Sequence, residues 1–181
     1  IGASCPQLFS GSCLDEKFVL GMNTLRFKDG SGSPSDVKAC LDEHNLPRGL
    51  ISRYRGNRLH ILFHLSLVYF DHIDVFRDLL SCADTTLKSA LKQCLNMPLT
   101  AAELQAFSLL GKLLSSPWMS KFYSSTCEMS FVDSIEIVKK VAERIGQVVP
   151  HLTLGYAFTH DMFGHPIDAS SNPRLWHVES Q

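Results

Sequence analysis

Apolar positions in the middle of the chain recur at the spacing of an α-helix. Between residues 58 and 83 most of them fall three or four residues apart, which predicts one long amphipathic helix. The apolar positions of this interval are Leu59, Leu62, Phe63, Leu67, Phe70, Ile73, Phe76 and Leu80. A second stripe follows Ser130, and Pro150 ends the helix that it predicts. The positions of this second stripe are Phe131, Ile135, Val138, Val141, Ala142 and Ile145.

Residues that cap helices mark the starts of shorter predicted helices. The clearest is Thr100-Ala-Ala-Glu103, where the Thr hydroxyl can accept the backbone N–H of Glu103 while the Glu carboxylate reaches back to the cap. Ser116-Pro117 combines a cap with a first-turn proline. Further helix starts are predicted at Ser35, at Asp84 or Thr85, and at Ser130. The helices predicted to begin at such caps are residues 35–44, 84–96, 100–114 and 116–123.

The two ends of the chain have a different texture from this helical middle. Residues 1–36 are rich in Gly, Ser and Pro and contain one predicted strand, residues 18–27. Residues 151–181 are loop-like after a second predicted strand, residues 151–158. We therefore predict a mainly α fold, a helical bundle of about five to six helices. The helical domain is residues 37–150, with irregular flanks that a small two-stranded sheet could join.

The composition is that of one ordinary soluble domain. The chain has 181 residues, of which 45% are apolar and 19% are charged, and its net charge is -1. A nearly neutral chain lacks a general cationic surface, so a site for an acidic partner has to be local. The most apolar stretch, residues 61–70, is interrupted by His64 and is far shorter than the roughly 20 residues of a membrane-spanning helix. We expect no membrane partner.

Cysteine usage and the first residues bear on the compartment. Six cysteines are scattered without a C-x-x-C pair. An even count permits disulfides, but a chain of this length can build a core without them. The first five residues have neither a basic start nor a long apolar core, so we expect no signal peptide there. We expect reduced thiols in an intracellular protein, either nuclear or cytoplasmic.

The sharpest local feature is a group of arginines ahead of the long helix. Arg48, Arg53, Arg55 and Arg58 fall within eleven residues that contain no acid. Guanidinium groups suit phosphate because their planar donors can bind two oxygens at once. Tyr54 lies among them and could stack on an unpaired base. The alternative is that these arginines form salt bridges to acids elsewhere in the fold.

Histidines and cysteines offer weaker candidates. His60 and His64 have a metal-ligand spacing on a helix, but no glutamate lies between them, and a surface or half-buried histidine pair explains them better. Cys40 and His44 have the spacing of a thiolate–imidazole pair, which chance also produces often on helices. Neither pair is predicted to be catalytic.

The C-terminal flank concentrates further polar residues. It carries His160-Asp161-Met-Phe-Gly-His165, then Asp168 and His177. Histidine and carboxylate together can bind zinc or transfer protons, yet this spacing matches no pattern with a known mechanism. Glycine-rich nucleotide loops and a G-x-S-x-G motif are missing from the sequence. We predict no catalytic residue, no metal site and no cofactor, so the protein is not expected to be an enzyme.

Two stretches of the chain resemble a known family. They are Ser52-Arg-Tyr-Arg-Gly-Asn-Arg-Leu-His-Ile-Leu-Phe63 and Leu99-Thr-Ala-Ala-Glu-Leu-Gln-Ala-Phe-Ser-Leu-Leu-Gly-Lys-Leu-Leu-Ser-Ser-Pro-Trp118. Both are similar to parts of the hAT superfamily of DNA transposases, which includes many transposon-derived host proteins. In that family such segments belong to a helical insertion that interrupts an RNase H-like catalytic core. The resemblance covers roughly residues 40–150.

The resemblance implies roles for individual positions. Arg53-Tyr54 takes the place of the family's Arg–Trp step, whose aromatic ring is associated with the distorted DNA end near the active site. Tyr keeps a stacking face. Cys40 and His44 are spaced one residue too far apart for the family's Cys-x-x-His signature, and no position matches the acidic triad. The resemblance therefore implies a transposase-derived domain that is not a complete transposase.

Two functions of different classes follow from these patterns. The first is a non-catalytic, transposase-derived domain that binds DNA or RNA through Arg48, Arg53, Tyr54, Arg55 and Arg58. The second is a helical module that binds a protein partner or itself, because aromatic side chains concentrate binding energy. The anchors for such a module would be Trp118, Met119, Phe122 and Tyr123. The spacing of Trp118 and Phe122 also suits core packing, which we favour for these two.

Overall fold

The fold is mainly α-helical, as predicted. The computed structural model describes residues 14–28, 30–55, 58–82, 84–123, 129–148, 158–168, 170 and 173–176. The helices within these residues are α1 (Leu14–Phe27), α2 (Pro34–Glu43), α3 (Arg58–Asp71), α4 (Ile73–Leu79), α5 (Thr86–Leu95), α6 (Pro98–Leu110), α7 (Ser116–Phe122) and α8 (Phe131–Val148). A π-helical turn, Gly111–Ser115, links α6 to α7, and a 3₁₀ turn forms at Pro173–Trp176.

Helix α1 corrects the prediction of a strand at residues 18–27. Phe18, Met22 and Leu25 are four and three residues apart and all are fully buried, which is the face of an amphipathic helix. The predicted two-stranded sheet is wrong for the same reason, since one of its strands is a helix. Most of the other predicted strand, residues 151–157, lies outside the described residues.

The chain divides into two compact units, Ile1–Ser108 (unit 1) and Leu109–Gln181 (unit 2). In unit 1, α1 packs against α2, α3 and α5. The ring of Tyr69 lies edge-on to Phe18 at 5.4 Å and to Phe76 at 4.9 Å between centroids, both favourable aromatic geometries. These side chains form the centre of the unit 1 core.

The long helix predicted for residues 58–83 is two helices instead of one. α3 ends at Asp71, and α4 begins at Ile73 after a bend of 81° between the two helices. The bend brings Phe76 of α4 against Tyr69 of α3. Among the described helices no single one is long and apolar enough to cross a membrane, although the bent pair α3–α4 reaches the required length and composition together.

Of the predicted caps, those at Thr85 and Ser130 are confirmed, and those at Ser35, Ser116 and Thr100 are wrong. Ser35 and Ser116 lie inside helical backbone, because α2 already begins at Pro34 and α7 continues from the π-helical turn without a break. The Thr85 hydroxyl accepts the backbone N–H of Lys88 at 3.2 Å, and the Ser130 hydroxyl accepts that of Asp133 at 3.2 Å. Thr100 is not a cap, because α6 begins earlier, at Pro98, and the Thr100 hydroxyl donates to the carbonyl of Cys94. Glu103 instead accepts the backbone N–H of Asp15 at 2.9 Å and so caps α1.

Unit 2 contains α7, α8 and a hairpin over residues 159–167. The backbone N–H of Ile167 donates to the carbonyl of Thr159, and that of Asp161 donates to the carbonyl of His165. Trp118 and Phe122 of α7 pack against each other at 4.6 Å between ring centroids and against Phe163 of the hairpin. Both side chains are only half-buried and no residue of α7 is fully buried, so the core role favoured for this pair is not confirmed.

Candidate nucleic-acid interface

Arg48 is bound by an acid of its own unit. Its guanidinium donates two hydrogen bonds of 2.8 Å to the two carboxylate oxygens of Asp42, a bidentate pair. Hydrogen bonding to Arg48 lowers the pKa of Asp42 and keeps that carboxylate charged. Both groups are exposed, but the positive charge of Arg48 is neutralised locally. For this arginine the salt-bridge alternative describes the structure.

Arg53 lies in a different environment, on an aromatic ring supplied by α1. Its guanidinium carbon is 5.0 Å from the ring centroid of Phe27, and that of Arg26 is 5.1 Å from the same centroid. A cation over an aromatic face is attracted by the negative quadrupole of the ring. The ring of Phe27 therefore contacts two cations that are far apart in sequence, Arg26 and Arg53. Arg26 was not predicted as a site residue.

The loop that carries Arg53 is held to α1 by one amide side chain. Asn23 donates from its Nδ2 to the carbonyl of Ser52 at 2.9 Å. Its Oδ1 accepts the backbone N–H of Tyr54 at 3.3 Å. The two bonds bracket Arg53, so the backbone on both sides of this arginine is fixed against α1. Arg55 follows with an exposed side chain, and Tyr54 is half-buried.

Arg58 is the first residue of α3, which agrees with the prediction that the arginine-rich loop leads into a helix. Residues 56 and 57 and the side chain of Arg58 lie outside the described part of the structure. The arginines that the structure places together are thus Arg26 and Arg53, with Arg55 two residues further along the same loop. We call Arg26, Phe27, Arg53 and Arg55 the arginine cluster.

Sequence reasoning missed Arg26 and Phe27 because residues 18–27 were predicted to form a strand in a separate flank. A cation–π contact between residues 26 positions apart depends on tertiary packing. The available signal was the Arg26-Phe27-Lys28 sequence at the end of a segment whose apolar positions also fit a helix. Basic residues are favoured in the last turn of a helix, where they interact with its dipole.

The cysteine–histidine pair on α2 lacks the properties of a nucleophile. Cys40 contacts the carbonyl of Val75 at 3.7 Å, and burial raises the pKa of its thiol. A reactive cysteine needs a lowered pKa. His44 lies 4.0 Å from Asp78, at the limit of an ion pair. These contacts describe a structural cysteine beside a surface histidine.

The histidines and acids of the C-terminal flank build the hairpin. The Asp161 carboxylate accepts the backbone N–H groups of Phe163 and His165 at 2.8 and 2.9 Å. Its other oxygen lies 3.0 Å from Nδ1 of His165. Asp168 accepts the N–H of Ser170 in a similar turn, and His177 lies outside the described residues. Within the described ranges no group of three or more His, Cys, Asp or Glu side chains could hold a metal ion.

Comparison with known proteins gave no match to a family model, to a curated protein or to a solved structure. The resemblance to hAT transposases therefore stays a prediction that rests on the two sequence stretches quoted above. The chemistry of the arginine cluster itself indicates what this protein can bind.

Proposed function

We propose that this protein binds DNA or RNA through the arginine cluster without catalysing a reaction on it. The observation that carries the proposal is the placement of Arg26 and Arg53 over one ring, Phe27, with Arg55 exposed two residues further along the chain. Several guanidinium groups held at one place can each contact a phosphate of a nucleic-acid backbone. Because the net charge of the chain is -1, its overall charge does not attract a nucleic acid, and the attraction has to come from a local group of cations.

The arginine cluster and the neighbouring Tyr54 and Arg58 supply the two kinds of contact that a nucleic-acid strand uses. Arg53 and Arg55 provide charge for phosphates, and Arg58 is the first residue of α3, whose N-terminus also favours an anion. Tyr54 between them provides an aromatic face that could stack on an unpaired base. Arg48 contributes less in this proposal than the sequence suggested, because Asp42 holds it.

The proposal includes the ancestry suggested by the sequence. A transposase-derived helical domain that has lost its catalytic core would retain contacts to DNA and no chemistry. Such a role fits a nuclear or cytoplasmic setting. The experiment below tests the binding independently of the ancestry.

The test is fluorescence anisotropy of labelled single- and double-stranded DNA and RNA over a series of salt concentrations. Binding should weaken with salt, because each neutralised phosphate releases counterions. The variant Arg53→Gln/Arg55→Gln should bind more weakly and reduce the slope of log K against log salt by about 1.4 for single strands or about 1.8 for duplex. Tyr54→Ala should weaken single-strand binding by roughly 1–3 kcal/mol and leave the slope unchanged, because stacking involves no charge.

The matched control is Arg77→Gln/Lys92→Gln, which removes two exposed positive charges from α4 and α5. Its affinity and slope should stay close to those of the unmodified protein. Equal losses in both double variants would mean that only total charge matters, which contradicts a local site. No binding at low salt would reject the proposal.

A second candidate function is a helical module that binds a protein partner or itself, and one observation favours it. Phe131 and Val132 at the start of α8 are 80% and 73% exposed, and Ile135 and Val138 are exposed further along the same helix. Large exposed apolar groups in succession are typical of interaction surfaces. The anchors predicted from the sequence fit less well, since Trp118 and Phe122 pack on Phe163. Absence of salt-dependent nucleic-acid binding in the experiment above would favour this second candidate.

A further inference from the structure

A cleft in unit 2 carries an excess of positive charge. It has a volume of about 350 Å³ and lies between α7, α8 and the hairpin over residues 159–167. Its cationic side chains are Lys121 of α7 and Lys140 and Arg144 of α8. Among the described residues that line it, Glu143 is the acidic one. A cleft of this size is in the range that holds a small molecule.

Arg144 is positioned at the cleft by the backbone of the hairpin. A side chain at Gly164 would place its Cβ 2.7 Å from Nη1 of Arg144, so the guanidinium occupies the space that only glycine leaves open. Gly164 also has a φ of +90°, which L side chains rarely adopt. Nη1 donates one long hydrogen bond, 3.5 Å, to the carbonyl of Asp161. Most donors of this guanidinium are therefore not used by that contact.

The nearby Asp161 carboxylate does not compete with a ligand for these cations. It is buried, and its two oxygens bind the N–H groups of Phe163 and His165 and the ring of His165. In the described part of unit 2 no ion pair joins a carboxylate to Lys121 or Arg144, and Lys140 has only an exposed contact of 3.6 Å to Glu136. The charge of the cleft is consequently not neutralised from within.

One wall of the cleft is apolar and aromatic. Met162 and Phe163 line it from the hairpin, and Ile137 and Val141 line it from α8. The imidazole of His165 is nearly parallel to the ring of Phe163, with 9° between their planes, and Asp161 fixes its orientation. A ligand that suits both walls has an anionic group for the cations and an aromatic body for the rings.

We propose that this cleft binds a small aryl phosphate, with the phosphate at Lys121, Lys140 and Arg144 and the ring against Phe163 and Met162. A phosphate monoester carries nearly two negative charges at neutral pH and several strong acceptor oxygens, and this matches the surplus of cations over Glu143. The lining of the cleft shares no residue with the arginine cluster, so the two proposals are tested independently.

The test is a titration of the full ¹⁵N-labelled chain with phenyl phosphate, followed by NMR of the backbone amides. Shifts should concentrate at Met162, Phe163 and His165. Phenol, which has the ring without the charge, and inorganic phosphate, which has the charge without the ring, should each bind at least about tenfold more weakly. Arg144→Gln should weaken phenyl phosphate binding about tenfold, the order expected for one charged hydrogen-bond partner.

Further variants keep the test decisive if Arg144→Gln disturbs the fold. Lys121→Gln removes a charge from an exposed position of α7 and should weaken binding several-fold. Lys139→Gln on α8 lies outside the lining and should change the affinity less than about twofold. Three results would overturn the proposal: no shifts at millimolar phenyl phosphate, phenol or inorganic phosphate binding equally well, or shifts centred on the arginine cluster.

Discussion

At the scale of single residues, two buried charged groups in unit 1 have opposite environments. Lys88 is almost fully buried and forms ion pairs with Asp36 at 2.6 Å and Asp84 at 2.8 Å. Burial alone would lower the pKa of Lys88, but the hydrogen bonds to the two carboxylates outweigh it and raise that pKa. Asp15 is equally buried, yet the charged groups that act on it within the described part of the structure are two acids, Glu103 and Glu16. Its two carboxylate oxygens lie 3.2 and 2.9 Å from the single hydroxyl of Ser66.

This environment predicts that unit 1 becomes less stable as pH rises through the acidic range. Burial, reinforced by the charges of Glu103 and Glu16 and opposed by the Ser66 hydrogen bond, raises the pKa of Asp15 to about 7. In the unfolded chain the carboxyl has a pKa of about 3.9. Between these values the folded state binds more protons, so the free energy of unfolding falls as pH rises from about 4 to 7 and is level above.

The substitution Asp15→Asn should remove this dependence, because the amide keeps an acceptor for Ser66 and carries no charge. At pH 8 we expect it to raise the free energy of unfolding by about 1–3 kcal/mol, within the limit of about 4 kcal/mol set by a three-unit shift. Urea unfolding followed by circular dichroism at pH 4.5, 6 and 8 measures the effect. Asp74→Asn, at an exposed ion pair, should leave the slope in place. Destabilisation by Asp15→Asn at every pH would contradict this account.

At the scale of elements, Pro117 changes the backbone hydrogen bonds in the link between α6 and α7. Pro117 has no N–H to donate to the carbonyl of Leu113, four residues before it. Ahead of this proline the backbone forms the π-helical turn Gly111–Ser115, and the backbone N–H of Ser116 donates to the carbonyl of Gly111. The Leu113 carbonyl instead accepts the N–H of Met162 at 2.9 Å. The Leu113 carbonyl, which has no helical donor because of Pro117, therefore binds the backbone of the hairpin over residues 159–167.

Replacing Pro117 with alanine restores an N–H that competes with Met162 for the Leu113 carbonyl. We expect the Met162 amide to exchange with solvent roughly tenfold faster, since one hydrogen bond contributes about 1 kcal/mol. Hydrogen exchange followed by NMR at single amides makes the measurement. Pro98→Ala is the control, because Pro98 lies in the first turn of α6, where no helical partner is lost. Unchanged protection of Met162 in Pro117→Ala would show that the proline does not direct this bond.

The elements also show what the sequence could and could not predict. The cap at Thr85 and the turn from Ser130 into α8 were predictable, because each depends on residues within one helical turn. Residues 18–27 were predicted as a strand, although the spacing of Phe18, Met22 and Leu25 also fits a helix, and the burial of these three side chains in the core agrees with the helix. The contact of Arg26 and Arg53 with the Phe27 ring could not be predicted from the sequence, because it depends on tertiary packing between distant segments.

At the scale of the whole molecule, the described residues form cores of different extent in the two units. Among the described residues, most of the fully buried large side chains belong to unit 1. They are Phe18, Met22, Leu25, Leu41, Ile51, Leu65, Tyr69, Phe76, Leu80, Leu91 and Leu104, against Leu175 in unit 2. Because apolar burial is the main stabilising contribution to folding, unit 1 should be the more stable unit. The division at Ser108 falls inside the predicted helical domain, which was bounded by changes in composition at residues 36 and 150.

Unequal cores predict unfolding in two steps, and the sequence provides the probe that separates them. Both tryptophans, Trp118 and Trp176, lie in unit 2, whereas α1 to α5 lie in unit 1. In urea we expect tryptophan fluorescence to change at a midpoint at least about 0.5 M below that of circular dichroism at 222 nm, which corresponds to roughly 1 kcal/mol at usual slopes. Trp118→Phe and Trp176→Phe should report the same early transition, because each leaves one tryptophan in the same unit. Coincident midpoints for both probes would mean that the whole chain unfolds as one cooperative body.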